Sequence, residues 1–316
     1  MKKPLKGVKI LIGPSVFGVY DSSPLDRLAK AGCEIIANPY KRRLTKDELL
    51  ELLSDDVAGL IAGLEPLDKE VLEKTKLKVI SRCGSGISNI DLKVAKKLRI
   101  KICYTPNGPT SAVAELTIGA MISLLRQIPQ MNMDLHGNKW IKRAGVQLEG
   151  KTVVIVGLGR IGKKVATLLK SFNVNLIAVE PSLHKNENGS ADGIKLYSLA
   201  RALPIADIIT IHASGEHQII GSNEFRLIKE GVFLLNAARG GLIDEQSLIQ
   251  ALENGKIRGA WLDTFNCEPY SGLLKKYPQV ILTPHAGSYT IECRKSMEIE
   301  AVRNLIDYFK NQNTIL

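Results

Sequence analysis

Short apolar runs recur along the chain, and stretches with helical spacing separate them. In the first third, Val8–Ile12, Glu34–Ala37, Ala58–Ala62, Lys78–Ser81 and Ile100–Cys103 read as strands. A second series comprises Thr152–Val156, Asn175–Val179, Ile194–Leu196, Asp207–Ile211, Val232–Asn236, Gly259–Leu262 and Val280–Leu282. Strands that alternate with helices predict parallel sheets covered on both faces, so the pattern implies an α/β chain with two doubly wound sheets. Between the series, Ser111 to Ile128 is apolar over much of its length but interrupted by Glu115 and Arg126, and it reads as a buried helix rather than a membrane span. The preceding Thr105-Pro106-Asn107-Gly108-Pro109 stops regular structure and suits a hinge. The last helical stretch, Ile291 to Lys310, fits either sheet by its pattern alone.

Length supports the division into two, because 316 residues with 45% hydrophobic content exceed the size at which single cores stop growing. The basic start, Met1-Lys2-Lys3-Pro4, precedes an apolar run too short for a signal-peptide core, so neither export nor a membrane partner is expected. Five cysteines without a C-x-x-C pair argue against a disulfide framework or a structural zinc and suit a reducing cytoplasm. The net charge of +11 raises a nucleic-acid reading. The basic residues are dispersed, with only Lys41-Arg42-Arg43 adjacent, so a solvated surface that attracts small anions is the expectation and no nucleic-acid partner is.

The first chemical signal is Gly157-Leu158-Gly159-Arg160-Ile161-Gly162, which runs out of the strand ending at Val156 and into the helix-patterned Lys163 to Phe172. A lone G-x-G-x-x-G is weak, but this strand–turn–helix setting is what dinucleotide binding requires. Glycines let the backbone turn and approach a pyrophosphate, and the helix N-terminus supplies free N–H groups. Glu180 ends the next strand, 18 residues beyond Gly162, where a carboxylate accepts from ribose hydroxyls and repels a 2′-phosphate. The expected cofactor is therefore NAD rather than NADP, with Lys185 the nearby cation that tempers the preference.

Three polar residues sit just past strand ends of the second series: Arg239 in Asn236-Ala-Ala-Arg-Gly-Gly, Glu268 in Asp263-Thr-Phe-Asn-Cys-Glu-Pro and His285 in Thr283-Pro-His. Reduction of a ketone by hydride needs a proton for the developing alkoxide, and imidazole titrates near the working pH. A neighbouring carboxylate favours the protonated ring and fixes its tautomer. Arginine binds a substrate carboxylate at two points and polarises the adjacent carbonyl. Each residue alone is more commonly an ion pair or a cap; together, beside a dinucleotide loop, they point to catalysis. His212 and His217 lack thiol or carboxylate partners at ligand spacing, so no metal site is expected.

These motifs, with Arg82-Cys-Gly-Ser-Gly-Ile-Ser-Asn-Ile-Asp91 and Ala112-Val-Ala-Glu-Leu-Thr117, span nearly the whole chain, which resembles the D-isomer-specific 2-hydroxyacid dehydrogenases and most of all their 3-phosphoglycerate dehydrogenase branch. The resemblance implies a Rossmann cofactor domain, 107–289, inserted in a flavodoxin-like substrate-binding domain, 1–106 plus 290–316, with the last helix returned to the latter. It implies Arg239, Glu268 and His285 as the catalytic residues, and Arg82, Ser85, Gly86, Arg239 and His285 as binders of a small 2-hydroxy or 2-keto acid. It further implies Ser85, Gly157, Gly159, Arg160, Ile161, Gly162, Glu180, Ala213, Ala237, Ala238 and Asp263 around the cofactor, with Asp263 and Ala237–Ala238 at the nicotinamide end, and a homodimer formed through the cofactor domain.

The chain departs from the family at Ala213-Ser-Gly-Glu-His-Gln218, where a Pro-Leu-Thr stretch is common, at Ser88, where many relatives carry Asp, and at Tyr289, which is bulkier than usual. Arg82 and Arg126 fall in segments resembling the branch's phosphate-handling regions, whereas Gly63-Leu-Glu65-Pro66 lacks a cation some relatives have there. No regulatory domain is expected after Leu316. The rival reading from another class is a dinucleotide-sensing corepressor-like binding protein, which shares fold and triad; the added peptide-binding segment that would mark one is not evident before Lys9 or after Lys310. Formate dehydrogenases pair their His with Gln, where Glu268 stands here.

Overall fold

A computed structural model describes residues 5–53, 56–183, 189–215 and 217–313. Met1-Lys2-Lys3-Pro4, Lys185, Glu216 and Leu316 lie outside the described residues. The chain divides into two compact units, Met1–Pro109 with Tyr289–Leu316, and Thr110–Ser288. The divisions fall at Pro109/Thr110 and Ser288/Tyr289, against the sequence-based Pro106/Asn107 and Tyr289/Thr290. The later first boundary has a packing reason: Gly108 lies against Met297 of the last helix, so the hinge segment stays with the first unit.

In the first unit five parallel strands lie in the spatial order Glu34–Ala37, Lys9–Ile12, Val57–Ala62, Val79–Arg82, Lys101–Tyr104. This is the flavodoxin-like order, with its switch point between the strands that end at Ile12 and Ala62. The two-residue period of the strands explains the layering. Leu11, Leu60 and Ile80 join Leu49, Val71, Leu72 and Ala95 in one buried cluster, formed with the helices Lys46–Leu52, Lys69–Glu73 and Leu92–Lys97. On the other face lies the helix Ile291–Asn313. Ser81 Oγ donates to the Ala301 carbonyl at 2.9 Å, and a Cβ on Gly59 would come within 3.2 Å of Leu305 and 3.3 Å of Phe309. Small residues on these strands let the last helix approach closely, which ties the C-terminal segment to this sheet.

The second unit carries an eight-stranded sheet among the described residues. Its order is Val280–Leu282, Ile257–Leu262, Val232–Asn236, Ile208–Ile211, Thr152–Val156, Asn175–Val179, Ile194–Leu196, Ser190–Ala191. All pairs are parallel except the last. Numbered within the unit, the parallel strands follow the Rossmann order, extended by one strand beyond the sixth. Val154, Val156, Ile209, Ile211 and Leu234 belong to one buried cluster, and Val153, Ile155, Ile208, Phe233, Leu235 and Trp261 to another. Each strand therefore feeds two cores.

Two features depart from the pattern-based reading. The helix expected over Ser111 to Ile128 runs Pro109–Leu125, and a second helix that was not expected, Ile128–His136, follows it at 64°. Gln127 takes a left-handed conformation, φ 51°, and Pro129 opens the second helix, so the first cannot continue. The antiparallel edge strand Ser190–Ala191 was not expected, because Gly189-Ser-Ala-Asp-Gly193 has the composition of a turn. No single helix among the described residues is long and apolar enough to cross a membrane.

Candidate active site

The switch point of the second sheet lies between Thr152–Val156 and Ile208–Ile211, where open α/β sheets bind ligands at the carboxyl ends of their strands. Gly157 leaves the first of these with φ 96°, and a Cβ there would meet Ala213 N at 2.5 Å and His212 C at 2.7 Å. Only glycine fits, because both the backbone conformation and the approach to the neighbouring strand end exclude a side chain. Gly162 serves close packing of helix on loop, since its Cβ would lie 2.1 Å from the Gly157 carbonyl oxygen. Gly159 has open space at the Cβ position and is the N-cap of the helix Arg160–Leu169. A loop packed tightly behind, open in front and ending on free helical N–H groups fits a dinucleotide pyrophosphate. Arg160 and Ile161 form the first turn of that helix, whose buried face is Gly162, Val165, Ala166 and Leu169.

Glu180 follows the neighbouring strand and turns back to this loop. Its carboxylate accepts from Leu158 N at 2.9 Å, Ser182 Oγ at 2.7 Å and Ser182 N at 3.2 Å. Burial pushes its pKa up, but the Ser182 hydroxyl and the two N–H groups outweigh that and hold it below the ordinary glutamate value. The group stays a charged acceptor beside the loop.

On the opposite side of the switch point, His212 follows Ile211, with its Nε2 2.9 Å from Thr210 Oγ1. Its Nδ1 is sealed from solvent and has no hydrogen-bond partner. Burial lowers its pKa to about 4, so the ring is neutral behind the glycine loop. Ala213 is half-buried against Gly157.

Arg239, Glu268 and His285 leave three adjacent strands, Val232–Asn236, Ile257–Leu262 and Val280–Leu282, and so rise side by side along one sheet edge. Asn236 organises the first loop: its Nδ2 donates to the Arg239 carbonyl at 2.8 Å and its Oδ1 accepts from Ala238 N at 3.0 Å. This fixes Ala237 and Ala238 at the strand end. Arg239 Nη1 donates to the Ala238 carbonyl at 2.7 Å. A Cβ on Gly240 would lie 2.1 Å from Phe265 C, so the arginine loop touches the glutamate loop backbone to backbone. Glu268 Oε1 accepts from Phe265 N at 3.1 Å, and Oε2 lies 2.9 Å from His285 Nδ1. The Glu268 and His285 side chains are 27% and 33% exposed, so the pair is accessible yet partly desolvated.

His285 itself has φ 53°, an uncommon conformation for a residue with a Cβ. Asp263, almost fully buried, holds the turn that follows it: Oδ1 accepts from Ala286 N and Oδ2 from Gly287 N, both at 2.8 Å. Sequence reasoning did not assign this role to Asp263, nor any role to Asn236. The signal was the position of both at strand ends, but their partners are backbone groups of turns that no residue pattern specifies.

Arg82, Ser85 and Gly86 belong to the first unit. Arg82 is buried at the last position of its strand, donates through Nη1 to the Cys83 carbonyl and wraps the Gly84 turn, where a Cβ would meet the guanidinium at 2.6 Å. Gly84 N donates to Thr105 Oγ1 at 2.7 Å, which closes the loop on the next strand end. Ser85 and Gly86 follow in irregular structure. Arg126 is exposed just past the end of the helix Pro109–Leu125, in the second unit. Tyr289, half exposed, shares a hydrogen bond with Tyr20, and burial raises its pKa. Among the described residues no group of three His, Cys, Asp or Glu side chains is placed to hold a metal ion, and all five cysteines are free thiols.

The chain is similar to known proteins over most of its length. The chain is 39% identical over 261 residues to D-3-phosphoglycerate dehydrogenase of Methanocaldococcus jannaschii, a match covering 80% of this chain and 50% of the relative. It is 33% identical over 312 residues to D-3-phosphoglycerate dehydrogenase of Sus scrofa, covering 96% and 57%. The chain thus spans little more than half the length of these curated relatives. Among solved structures, a glyoxylate reductase from Paecilomyes thermophila superposes with a TM-score of 0.84 at 29% identity, covering 96% of this chain and 95% of the other. Residues 118–287, which hold the glycine loop and all three strand-end residues, match the D-isomer specific 2-hydroxyacid dehydrogenase NAD binding domain, so by sequence and by fold the chain belongs to that family, whose cofactor is NAD.

Proposed function

We propose that this protein interconverts a small 2-hydroxy acid and its 2-keto acid. When bound, NADH supplies the hydride. Arg239 binds the substrate carboxylate and polarises the adjacent carbonyl. His285 gives its proton to the oxygen formed on C2. Because Nδ1 is engaged by Glu268, Nε2 is the nitrogen left to face substrate. Glu268 orients the ring and balances its positive charge. The segment Gly157 to Gly162 holds the pyrophosphate and Glu180 the adenosine ribose, with Ala213 beside the adenine and Ala237, Ala238 and Asp263 near the nicotinamide. The first unit is the substrate-binding domain and the second the cofactor domain. The observation that carries this reading is the Glu268–His285 pair at 2.9 Å on the strand end next to the Arg239 loop.

The curated relatives carry the name D-3-phosphoglycerate dehydrogenase, which makes 3-phosphoglycerate the first substrate to expect. A second reading, an unphosphorylated 2-hydroxy acid, draws on Glu65. This buried carboxyl lies within electrostatic reach of Arg82, which itself is turned onto its own loop. Comparing phosphohydroxypyruvate with hydroxypyruvate as substrates for NADH oxidation decides between them. A buried charge-assisted phosphate contact is worth about 1.5–3 kcal/mol, or roughly 10- to 150-fold in kcat/KM. Preference of that size supports phosphoglycerate, and its absence supports the second reading.

The cofactor unit leaves Trp140 82%, Met133 71% and Leu135 55% exposed on and just after the helix Ile128–His136. An apolar surface of this kind supports a homodimer formed through this unit. Free thiols at all five cysteines suit a reducing compartment such as the cytoplasm.

A further inference from the structure

We propose that Thr283 is a positioning residue: its hydroxyl, oriented by Trp261, fixes the carboxylate that holds the His285 turn. The inference rests on the dehydrogenase reading above for its functional consequence, but its structural part stands on hydrogen-bond inventory. Trp261 is fully buried, and its indole Nε1–H, which can only donate, lies 3.0 Å from Thr283 Oγ1. That contact occupies a lone pair of the hydroxyl, whose single hydrogen then goes to Asp263 Oδ1 at 2.5 Å. The direction of the chain is thereby determined: indole to hydroxyl to carboxylate.

The carboxylate passes the constraint on. Asp263 Oδ1 also accepts from Ala286 N and Oδ2 from Gly287 N, so one side chain grips the turn on both sides of His285. Backbone bonds extend the frame, with Thr283 N donating to the Leu262 carbonyl at 3.0 Å and His285 N to the Thr283 carbonyl at 2.9 Å. His285 needs this frame because its φ of 53° is disfavoured for any residue with a Cβ. The space is also closed: a Cβ on Gly287 would lie 2.9 Å from Asp263 Oδ2 and 3.3 Å from Val113. The clamp before and after holds the backbone of His285, and Glu268 on Nδ1 then orients its ring, as proton transfer to a fixed substrate atom requires.

The test is Thr283→Val, which keeps shape but removes the hydroxyl, beside Thr283→Ser, which keeps it. Two readouts are taken on the full chain: steady-state kinetics with NADH and the best 2-keto acid, and amide hydrogen exchange of the Ala286–Gly287 segment. For Thr283→Val we expect kcat to fall about 100-fold, as for a misplaced reacting group. Exchange at Ala286 and Gly287 should quicken about 10-fold as the carboxylate loses its anchor. Thr283→Ser should recover most of both. A loss confined to thermal stability, or an equal defect in Thr283→Ser, overturns the proposal. Should Thr283→Val fail to fold, Trp261→Phe removes the orienting donor together with part of the buried ring; faster exchange at Ala286 and Gly287 beyond that of the other amides of the unit supports the proposal, and exchange that is unaltered or quickened uniformly overturns it. If the unmodified protein turns over no 2-keto acid, the dehydrogenase reading fails, whereas the exchange result still decides the role of Thr283 in the turn.

Discussion

Replacing His212 by Gln separates one buried titrating group from all others, because its environment sets a specific pH window. The imidazole sits behind the glycine loop with Nδ1 unpartnered and Nε2 against Thr210 Oγ1, and burial lowers its pKa from 6.5 to about 4. Between those values the unfolded chain binds a proton that the folded chain refuses. Stability therefore rises with pH through this window and is lost as pH falls from about 6.5 toward 4. At about pH 4.5 the unfolded state has gained two pH units of protonation at 1.36 kcal/mol each, roughly 2–3 kcal/mol relative to neutral pH. The figure tends to the lower end, since the residue as a whole is only half-buried. For a unit of this size that is a fall of about 5–10 °C in Tm attributable to this residue. Urea unfolding followed by the fluorescence of Trp261 reads this unit, provided the exposed Trp140 is replaced by Phe in both proteins. The stability of the His212→Gln protein should decline less steeply between pH 7 and pH 4.5, by that amount. Parallel declines in the two proteins would refute the reasoning.

The glycines of the phosphate loop predict contrasting phenotypes. Gly162→Ala places a Cβ 2.1 Å from the Gly157 carbonyl and should lower the Tm of the second unit, whereas Gly159→Ala meets open space, so it should leave Tm unchanged while weakening NADH binding in a titration. His285→Ala should reduce kcat about 100- to 10,000-fold with NADH affinity retained, and Arg239→Lys should stay impaired because an ammonium cannot make the planar two-point contact. Glu180→Ala removes the charged acceptor held beside Leu158 N and Ser182, and the ratio of kcat/KM for NADH over NADPH should fall.

Much of the fold was legible because buried parallel strands are apolar on both faces and so stand out as short runs. Thr152–Val156, Asn175–Val179 and Val232–Asn236 have the same bounds in pattern and structure. Where the pattern failed, a specific residue concealed the element. The strand at Ile257 begins two residues before the apolar run, because Arg258 is exposed and stacks over the Phe233 ring at 5.7 Å. The break at Gln127 was hidden because apolar residues continue on both sides of it. At the candidate site, residue types and strand-end positions pointed to Arg239, Glu268 and His285, but not to the bonds around them. Asn236 and Thr283 act through turn backbones and through Trp261, contacts that depend on register between neighbouring strands. Arg82 stands in a segment that resembles phosphate-handling regions, and its guanidinium is folded over Gly84 and bonded to the Cys83 carbonyl.

The most direct test of the central claim follows the hydride. NADH deuterated at the transferring C4 position is incubated with the purified protein and a 2-keto acid, and the product is resolved by chirality and mass. The account predicts deuterium at C2 of the D-2-hydroxy acid, and loss of that product in His285→Ala. Product without deuterium at C2, an L-configured product, or undiminished transfer in His285→Ala would contradict it.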